Sequence, residues 1–366
     1  MSSVSGGWLA GRSVFVTGHT GFKGTWLLHL LDQLGAKAHG FALDPLSEPC
    51  AFSVADAQTI LATDTRASIL DSGRLTKALI AAESEVVIHL AAQPLVRESY
   101  SDPLGTFAVN AIGTANLLQA VRSAPTVKAV LVITTDKVYR NREWLHPYRE
   151  PDQLGGSDPY SASKVCAELI TDSFRQSFFS DPSKNLPIVM SARAGNVIGG
   201  GDWAVDRIVP DCLRAAYTSA PLQLRYPTAT RPWQHVLDSL SGYLALLEVV
   251  LQGSQNELPH HWNFGPPAAQ AVSVNTIVDW IEHDLGTSLN RVLSATADSS
   301  QHEAGKLALD SSQANELLQW QTTWSSREAV RRTVEWHLAW RSDADMLDFT
   351  VSQIREFMEE SACPSL

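Results

Sequence analysis

Residues 14–24 read VFVTGHTGFKG, and the rest of the chain is organised around what they build. Residues 14–18 begin apolar and β-branched, as a short buried strand does, and run into a glycine turn. Over 24–34 the apolar residues Trp26, Leu27, Leu30, Leu31 and Leu34 recur at helical spacing, and Gly35 supplies a stop signal. Strand, glycine turn and helix in that order open a βαβ unit. Further apolar strands are predicted at 38–43, 86–91, 129–134 and 187–193, with helices at about 73–82, 105–123 and 158–178. Apolar strands alternating with helices require parallel pairing and right-handed crossovers. The expected fold class is therefore α/β, a doubly wound parallel sheet, with a smaller C-terminal lobe. After about residue 200 Pro and Trp become frequent, and the tail from about 271 is expected to mix short helices with loops.

The chain has 366 residues, 44% hydrophobic and 18% charged, the balance of a packed globular protein. Its formal charge of -11 and the absence of a basic stripe argue against binding a nucleic acid. Cys50, Cys166, Cys212 and Cys363 are scattered without paired spacing, so reduced thiols and a cytoplasmic location are expected, with no disulfide framework. The N-terminal stretch MSSVSGGWLAGRS has no long apolar run, and neither a signal peptide nor a membrane span is indicated.

Gly18, Gly21 and Gly24 form a GxxGxxG turn between strand and helix, the context a dinucleotide site requires. Glycines permit the tight turn, and the helix N-terminus presents N–H groups to a diphosphate. Asp44 ends the second predicted strand, about 20 residues after the last glycine, where a carboxylate accepts from both ribose hydroxyls and repels a 2′-phosphate. NAD is thus the expected cofactor. Its expected contacts are Gly18, Thr20, Gly21, Phe22, Lys23 and Gly24, then Asp44, and Leu90, Ala91 and Ala92 at the end of strand 86–91. Asp64, ending a probable third strand, is expected to reach the adenine. The dinucleotide domain should span 1–193 with returns near 232–265, leaving 194–366 mainly for substrate.

Tyr160-Ser-Ala-Ser-Lys164 follows Asp158-Pro159, a helix start that puts both side chains on one face. A free phenol is a poor base near neutrality, but a nearby ammonium should lower its pKa. Tyr160 could then accept a hydroxyl proton while the adjacent carbon loses hydride, and Lys164 could hold the nicotinamide ribose. Taken alone, YxxxK is equally a plain surface helix. Thr135-Asp136-Lys137 follows the strand at 129–133, at the carboxyl end where ligands bind in such sheets. Thr135 offers a hydroxyl to the reacting sugar oxygen, and Asp136 with Lys137 forms an acid/base pair. The alternative for that pair is a solvated turn. His260-His261 lacks a third metal ligand and reads as a loop pair, so no metal is expected.

The strings VFVTGHTGFKGTWL, TTDKVYRNREW, LGGSDPYSASK, RAGNVIGGGDW, RPWQHVLD, WNFGP and HEAGKLALD together resemble the CDP-glucose 4,6-dehydratases, a branch of the extended short-chain dehydrogenases/reductases. The resemblance runs from about residue 10 to about residue 340. Leu145-His146-Pro147-Tyr148 departs from the pattern and leaves one loop open. The resemblance implies an extended Rossmann fold, bound NAD, a nucleotide-sugar substrate and a homodimer or homotetramer. It also implies Thr135, Asp136, Lys137, Tyr160 and Lys164 as the catalytic set, with Asn196 and Arg231 toward the substrate; Arg207 is a further candidate for the diphosphate, since a guanidinium binds phosphate oxygens bidentately. The dTDP-glucose dehydratases carry Asp-Glu where this chain has Asp136-Lys137, and UDP-sugar epimerases lack the pair. By that analogy Asp136 is the acid and Lys137 the base, although adjacent Asp and Lys favour carboxylate plus ammonium. The competing readings are another nucleotide-sugar dehydratase or 4-epimerase of this fold, or a non-catalytic NAD-sensing protein.

Overall fold

The computed structural model describes residues 6–181, 183–253, 258–293 and 305–362, so Cys363 lies outside the described residues. Seven strands make the central sheet: β1 (Ser13–Thr17), β2 (Lys37–Ala42), β3 (Leu61–Arg66), β4 (Val86–His89), β5 (Ala129–Ile133), β6 (Ile188–Ala194) and β7 (His261–Phe264). Their spatial order is β7-β6-β5-β4-β1-β2-β3, and every neighbouring pair is parallel. The winding direction reverses between β1 and β4, and a crevice opens beyond the carboxyl ends of strands at such a point.

The principal helices are α1 (Phe22–Gln33), α2 (Ser72–Ala81), α3 (Pro103–Val121), α4 (Pro159–Phe178), α5 (Ile208–Thr218), α6 (Val236–Gln252), α7 (Val274–Leu285), α8 (Ser326–Arg341) and α9 (Met346–Ala362). Both sheet faces are covered, which is why the strands are apolar throughout. Val14 and Val16 of β1 join a core with Leu27, Leu30, Leu240, Leu244 and Trp262, while Phe15 joins another with Leu75, Leu79, Leu117 and Leu118. A third cluster, with Val209, Leu213, Ile277, Ile281, Val330 and Val334, unites α5, α7 and α8 into the smaller lobe.

Three sequence expectations are corrected here. The tail is not short helices and loops: α7, α8 and α9 have 12, 16 and 17 residues. Helix α6 is buried on nearly every side, so it lacks the polar face that makes helical periodicity visible. His261 is not in a loop but opens β7. Trp320, Trp324 and Trp336 pack into the sheet's own core. The expected continuous helix at 105–123 instead begins at Pro103 and carries a π-turn at Ala108–Ile112. By length and composition α3 could cross a membrane, yet half of that stretch packs inside the fold.

Candidate active site

A cleft of about 1620 Å³ runs along the carboxyl ends of the strands and under the smaller lobe. That exceeds the roughly 300–1,000 Å³ of a site for one drug-sized ligand. At one end lie Gly18, Thr20, Gly21, Phe22, Lys23 and Gly24. The chain itself explains two of the three glycines. Gly18 has φ +74, and a Cβ there would sit 2.6 Å from the Ala91 nitrogen; at Gly24 it would sit 2.4 Å from the Gly18 carbonyl oxygen. Gly21 has no such crowding, its nearest neighbour being 3.4 Å away, and it is exposed toward the cleft. As N-cap of α1 it offers no side chain to the first-turn N–H groups. An uncapped helix start facing a cleft suits a diphosphate, so the residues present fit a dinucleotide.

Asp44, Leu90, Ala91 and Ala92 also line the cleft. The Asp44 side chain is largely exposed, with the Arg66 guanidinium 3.5 Å away. Asp64 is placed differently from the expectation. It sits inside β3 rather than at its end, and Ala67, Ser68 and Ile69 form the cleft wall there instead. Asp64 accepts from Arg66 at 2.7 Å and pairs with the buried His19 at 3.0 Å. Burial works against its charge, but Arg66 and His19 outweigh that and hold the carboxyl below its ordinary range.

At the cleft floor, the start of α4 is fixed by a capping box between Asp158 and Ser161 with Pro159 in the first turn. The Ser99 hydroxyl accepts from the Tyr160 backbone N–H at 3.1 Å. In the π-turn of α3, Asn110 donates to Ser163 at 2.8 Å and accepts from the Gln93 N–H at 2.9 Å, tying α4 to the loop after β4. Lys164 donates to the Ile133 carbonyl at 3.1 Å, and burial lowers its pKa to about 8. Tyr160 does not have the lowered pKa expected from a neighbouring ammonium. Burial first, and then the Asp136 carboxyl, push it up to about 12. The phenol is therefore protonated in the protein alone.

Thr135 caps the short 3-10 turn Asp136–Val138, and its hydroxyl is shared. It donates to Asp136 Oδ1 at 3.0 Å and accepts from the Lys137 backbone N–H at 3.4 Å. Asp136 is buried, its Oδ2 has no partner among the described residues, and burial raises its pKa despite Lys137 beside it. Lys137 is half-buried and lines the same floor. Tyr160, Thr135, Asp136, Lys137 and Lys164 are thus brought together.

Asn196, Arg207 and Arg231 line the cleft from the other side. Arg231 is buried and donates to the Thr230 and Gly305 carbonyls at 2.8 and 3.2 Å. Arg207 pairs with Asp202 at 2.8 Å. Sequence reasoning missed three neighbours, Asp206, Arg97 and Arg225: Asp206 meets Arg97 at 3.0 Å and Arg225 at 3.4 Å, linking the loop after β4 to the smaller lobe. Lys23, expected at the cofactor from its place inside the glycine motif, is half-buried in the cleft wall: burial, Lys164 and Arg207 lower its pKa to about 7, and it donates to the Tyr243 hydroxyl at 3.2 Å.

The model of the NAD dependent epimerase/dehydratase family matches residues 14–265, which include the glycine turn, Tyr160, Lys164 and β7. The chain belongs to that family. A CDP-glucose 4,6-dehydratase of Salmonella typhimurium is 42% identical over 351 residues, covering 95% of this chain and 96% of that protein. A UDP-glucose 4-epimerase of Mycolicibacterium smegmatis is 28% identical over 334 residues, covering 87% and 96%. Among solved structures, a dTDP-glucose 4,6-dehydratase double mutant from Streptomyces venezuelae with NAD bound superposes with a TM-score of 0.75 at 21% identity, covering 91% and 99%. That likeness shows the fold, an epimerase/dehydratase-type Rossmann sheet over its full width. Membership of the family makes the dinucleotide NAD, in accord with the uncapped start of α1 and the Asp44 carboxylate beyond β2.

Proposed function

We propose that the protein is a nucleotide-sugar 4,6-dehydratase acting on CDP-D-glucose and forming CDP-4-keto-6-deoxy-D-glucose with loss of water. One observation carries the dehydratase reading: a buried carboxyl, Asp136, whose pKa burial raises, on the same cleft floor as the Tyr160 phenol. Epimerisation at C4 needs only oxidation and return of the hydride to the opposite face, whereas expelling a C6 hydroxyl needs an acid beside it. The likeness to the Salmonella enzyme over nearly the whole of both chains supports cytidine as the nucleotide.

Gly18, Thr20, Gly21, Phe22, Lys23 and Gly24 would hold the NAD diphosphate, Asp44 the adenosine ribose, and Leu90, Ala91 and Ala92 the dinucleotide beyond it. The cofactor, when bound, takes a hydride from sugar C4 and returns it to C6. The chain supplies the proton chemistry. Tyr160 accepts the C4 hydroxyl proton once its own has been lost, which the positive charges of Lys164 and of the bound nicotinamide would favour. A C4 ketone then makes C5–H acidic, and Lys137 removes that proton. Asp136 protonates the departing C6 hydroxyl. Lys164, on the Tyr160 face of α4, would hold the nicotinamide ribose. Arg207 and Arg231 would meet the substrate diphosphate bidentately, and Asn196 the groups next to it. In this division residues 1–193, with the return of 232–265, carry the cofactor, and most of 194–366 the sugar nucleotide. We also place the enzyme in the cytoplasm as a homodimer or homotetramer, in keeping with Cys50, Cys166 and Cys212 all being free.

The test is turnover of CDP-, dTDP-, UDP- and GDP-glucose with NAD, followed by alkali, in which a 4-keto-6-deoxy sugar develops ultraviolet absorbance. CDP-glucose should turn over best. Formation of a C4 epimer without dehydration would overturn the assignment.

A further inference from the structure

The Asp44 carboxylate, which would hold the adenosine ribose, has a cation beside it. Arg66 ends β3, the edge strand of the sheet, and pairs in register with Ala42, two residues before Asp44. Its Nη1 lies 3.5 Å from Asp44 Oδ1. Asp44 lines the cleft with its side chain 85% exposed, while the half-buried Arg66 packs its guanidinium over the Phe52 ring, 4.8 Å from the centroid. A guanidinium next to the ribose is what accommodates the 2′-phosphate of NADP in dinucleotide folds. By position alone, Arg66 would invite the wrong dinucleotide. Its bonding works the other way. A guanidinium grips phosphate through a fork of two parallel N–H groups. In Arg66 the fork made by Nε and Nη2 is taken by Asp64, at 2.7 Å to each carboxylate oxygen. The two residues stand two apart on one strand and so project to the same side. Asp64 is fixed in turn by His19, whose Nε2 meets Oδ1 at 3.0 Å. The His19 ring lies over Gly40, the register partner of Asp64, where a Cβ would come within 2.7 Å of the ring. The glycine turn, β2 and β3 together hold Asp64 against Arg66, and the Nη1 end of the guanidinium meets Asp44.

Resting on the assignment of Asp44 to the adenosine ribose, we infer that Asp64 masks Arg66, so that NAD is chosen over NADP by the carboxylate pair Asp44 and Asp64 and not by Asp44 alone. Asp44 accepts from the ribose hydroxyls and repels a 2′-phosphate. Asp64 keeps the Arg66 fork from engaging one. Loss of Asp44 alone leaves a phosphate facing the Nη1 end of a guanidinium whose fork and charge are already answered. Loss of Asp64 alone frees the fork behind a carboxylate that still repels the phosphate. Loss of both leaves an unmasked cation within reach of the ribose 2′ position. Asp64, which the sequence placed at the adenine, thus acts on the dinucleotide through Arg66 as a positioning residue. The inference concerns the cofactor and holds whichever nucleotide sugar the enzyme takes.

Calorimetric titration of the full-length protein with NAD and with NADP, without substrate, tests this by binding rather than turnover. Asp44→Asn should weaken NAD binding and improve NADP binding only slightly, and Asp64→Asn should leave NADP weak. Asparagine keeps the side-chain size and one acceptor oxygen, so the packing around Gly40 and Phe52 is retained. The double variant should bind NADP more tightly than the product of the two single effects by roughly 10- to 100-fold, the worth of one hydrogen bond to a charged group. Adding Arg66→Met should remove that excess. Single effects that simply multiply, or an excess that survives Arg66→Met, overturn the inference. A second comparison leaves Asp64 in place and stands even if the double variant fails to fold. Arg66→Met on the Asp44→Asn background should change NADP affinity by less than about fivefold, the range of an exposed ion pair. A drop of about 30-fold or more there, the size of a charge-assisted hydrogen bond, means that the guanidinium reaches the phosphate past Asp64 and overturns the masking. NAD affinity unchanged in Asp44→Asn overturns the ribose assignment and the inference with it, whereas weakened NAD binding with multiplicative NADP effects overturns the inference alone.

Discussion

Replacing Arg193 by methionine should destabilise the protein severely and loosen the catalytic turn at both ends. Arg193 on β6 and Glu168 on α4 form a buried pair, with exposures of 1% and 0%. The guanidinium grips both carboxylate oxygens at 2.9 Å and also donates to the Tyr139 hydroxyl at 2.8 Å and the Glu150 carbonyl at 3.0 Å. Burial opposes the Glu168 charge, but Arg193 and His261 outweigh it and hold the carboxyl far below its usual range. Losing one partner of such a pair leaves an uncompensated charge and costs about 3–5 kcal/mol. Thr134, Ser191 and His261 still donate to Glu168, at 2.5, 2.7 and 3.2 Å, so the lower end, about 3 kcal/mol, is expected. Against a typical total of about 5–15 kcal/mol this is a large share. Thr134 precedes the Thr135–Val138 turn and Tyr139 follows it, and both are tied to this pair, so kcat should fall while NAD affinity changes little. Urea unfolding followed by tryptophan fluorescence measures the first effect and steady-state kinetics the second. A cycle with Glu168→Gln should show coupling of about 2 kcal/mol or more. A loss under about 1 kcal/mol, additive with Glu168→Gln, would refute the reasoning.

Other consequences follow from burial and charge. His261 is held between Asp172 at 3.1 Å and Glu168, which outweigh burial and raise its pKa to about 9. Its folded pKa lies above the unfolded 6.5, so its contribution is complete below 6.5 and lost as pH rises through about 9. His261→Gln should therefore cost up to about 3 kcal/mol at pH 6 and little at pH 10, read from urea midpoints. Asp238 at the start of α6 accepts from the Thr323 N–H at 2.6 Å, and burial raises its carboxyl to about 7. The native state thus holds a proton that the unfolded chain gives up near 4, and the charge is a penalty above about 7. Asp238→Asn should raise Tm at pH 8, with the gain shrinking to nothing toward pH 4. Leu104 and Ile112 on α3 are 82% and 54% exposed, and Leu169 on the adjacent α4 is 57% exposed. Contiguous exposed apolar side chains mark an association surface. Light scattering should give at least twice the chain mass, and Leu104→Glu with Leu169→Glu should halve it; a single-chain mass for wild type would remove the basis for this interface.

What the sequence made legible was whatever depends on near neighbours along the chain. The Gly18–Gly24 turn, the helix that follows it and the Asp158–Pro159 start of α4 are set by contacts within a few residues, and spacing reads such contacts directly. The cleft accordingly gathers the expected residues, from Gly18 to Arg231, with Asp64 set apart. What could not be read is charge, because that is decided by distant partners. Asp64 is turned from a ligand carboxylate into an ion-pair member by Arg66, and a hydrogen bond with His19, which lies 45 positions earlier, holds it in place. Tyr160 faces Thr135 and Asp136, from another element, and burial leaves it a protonated phenol where Lys164, its neighbour four residues on, suggested a phenolate. The same limit hid α6, whose amphipathic signature disappears because protein surrounds it. The motifs therefore locate the chemistry, but the direction in which protons move is a property of the packed floor. Asp136 suits the role of acid not because Lys137 adjoins it in sequence, but because burial raises the pKa of its carboxyl against the pull of Lys137 and of the hydrogen bond from Thr135.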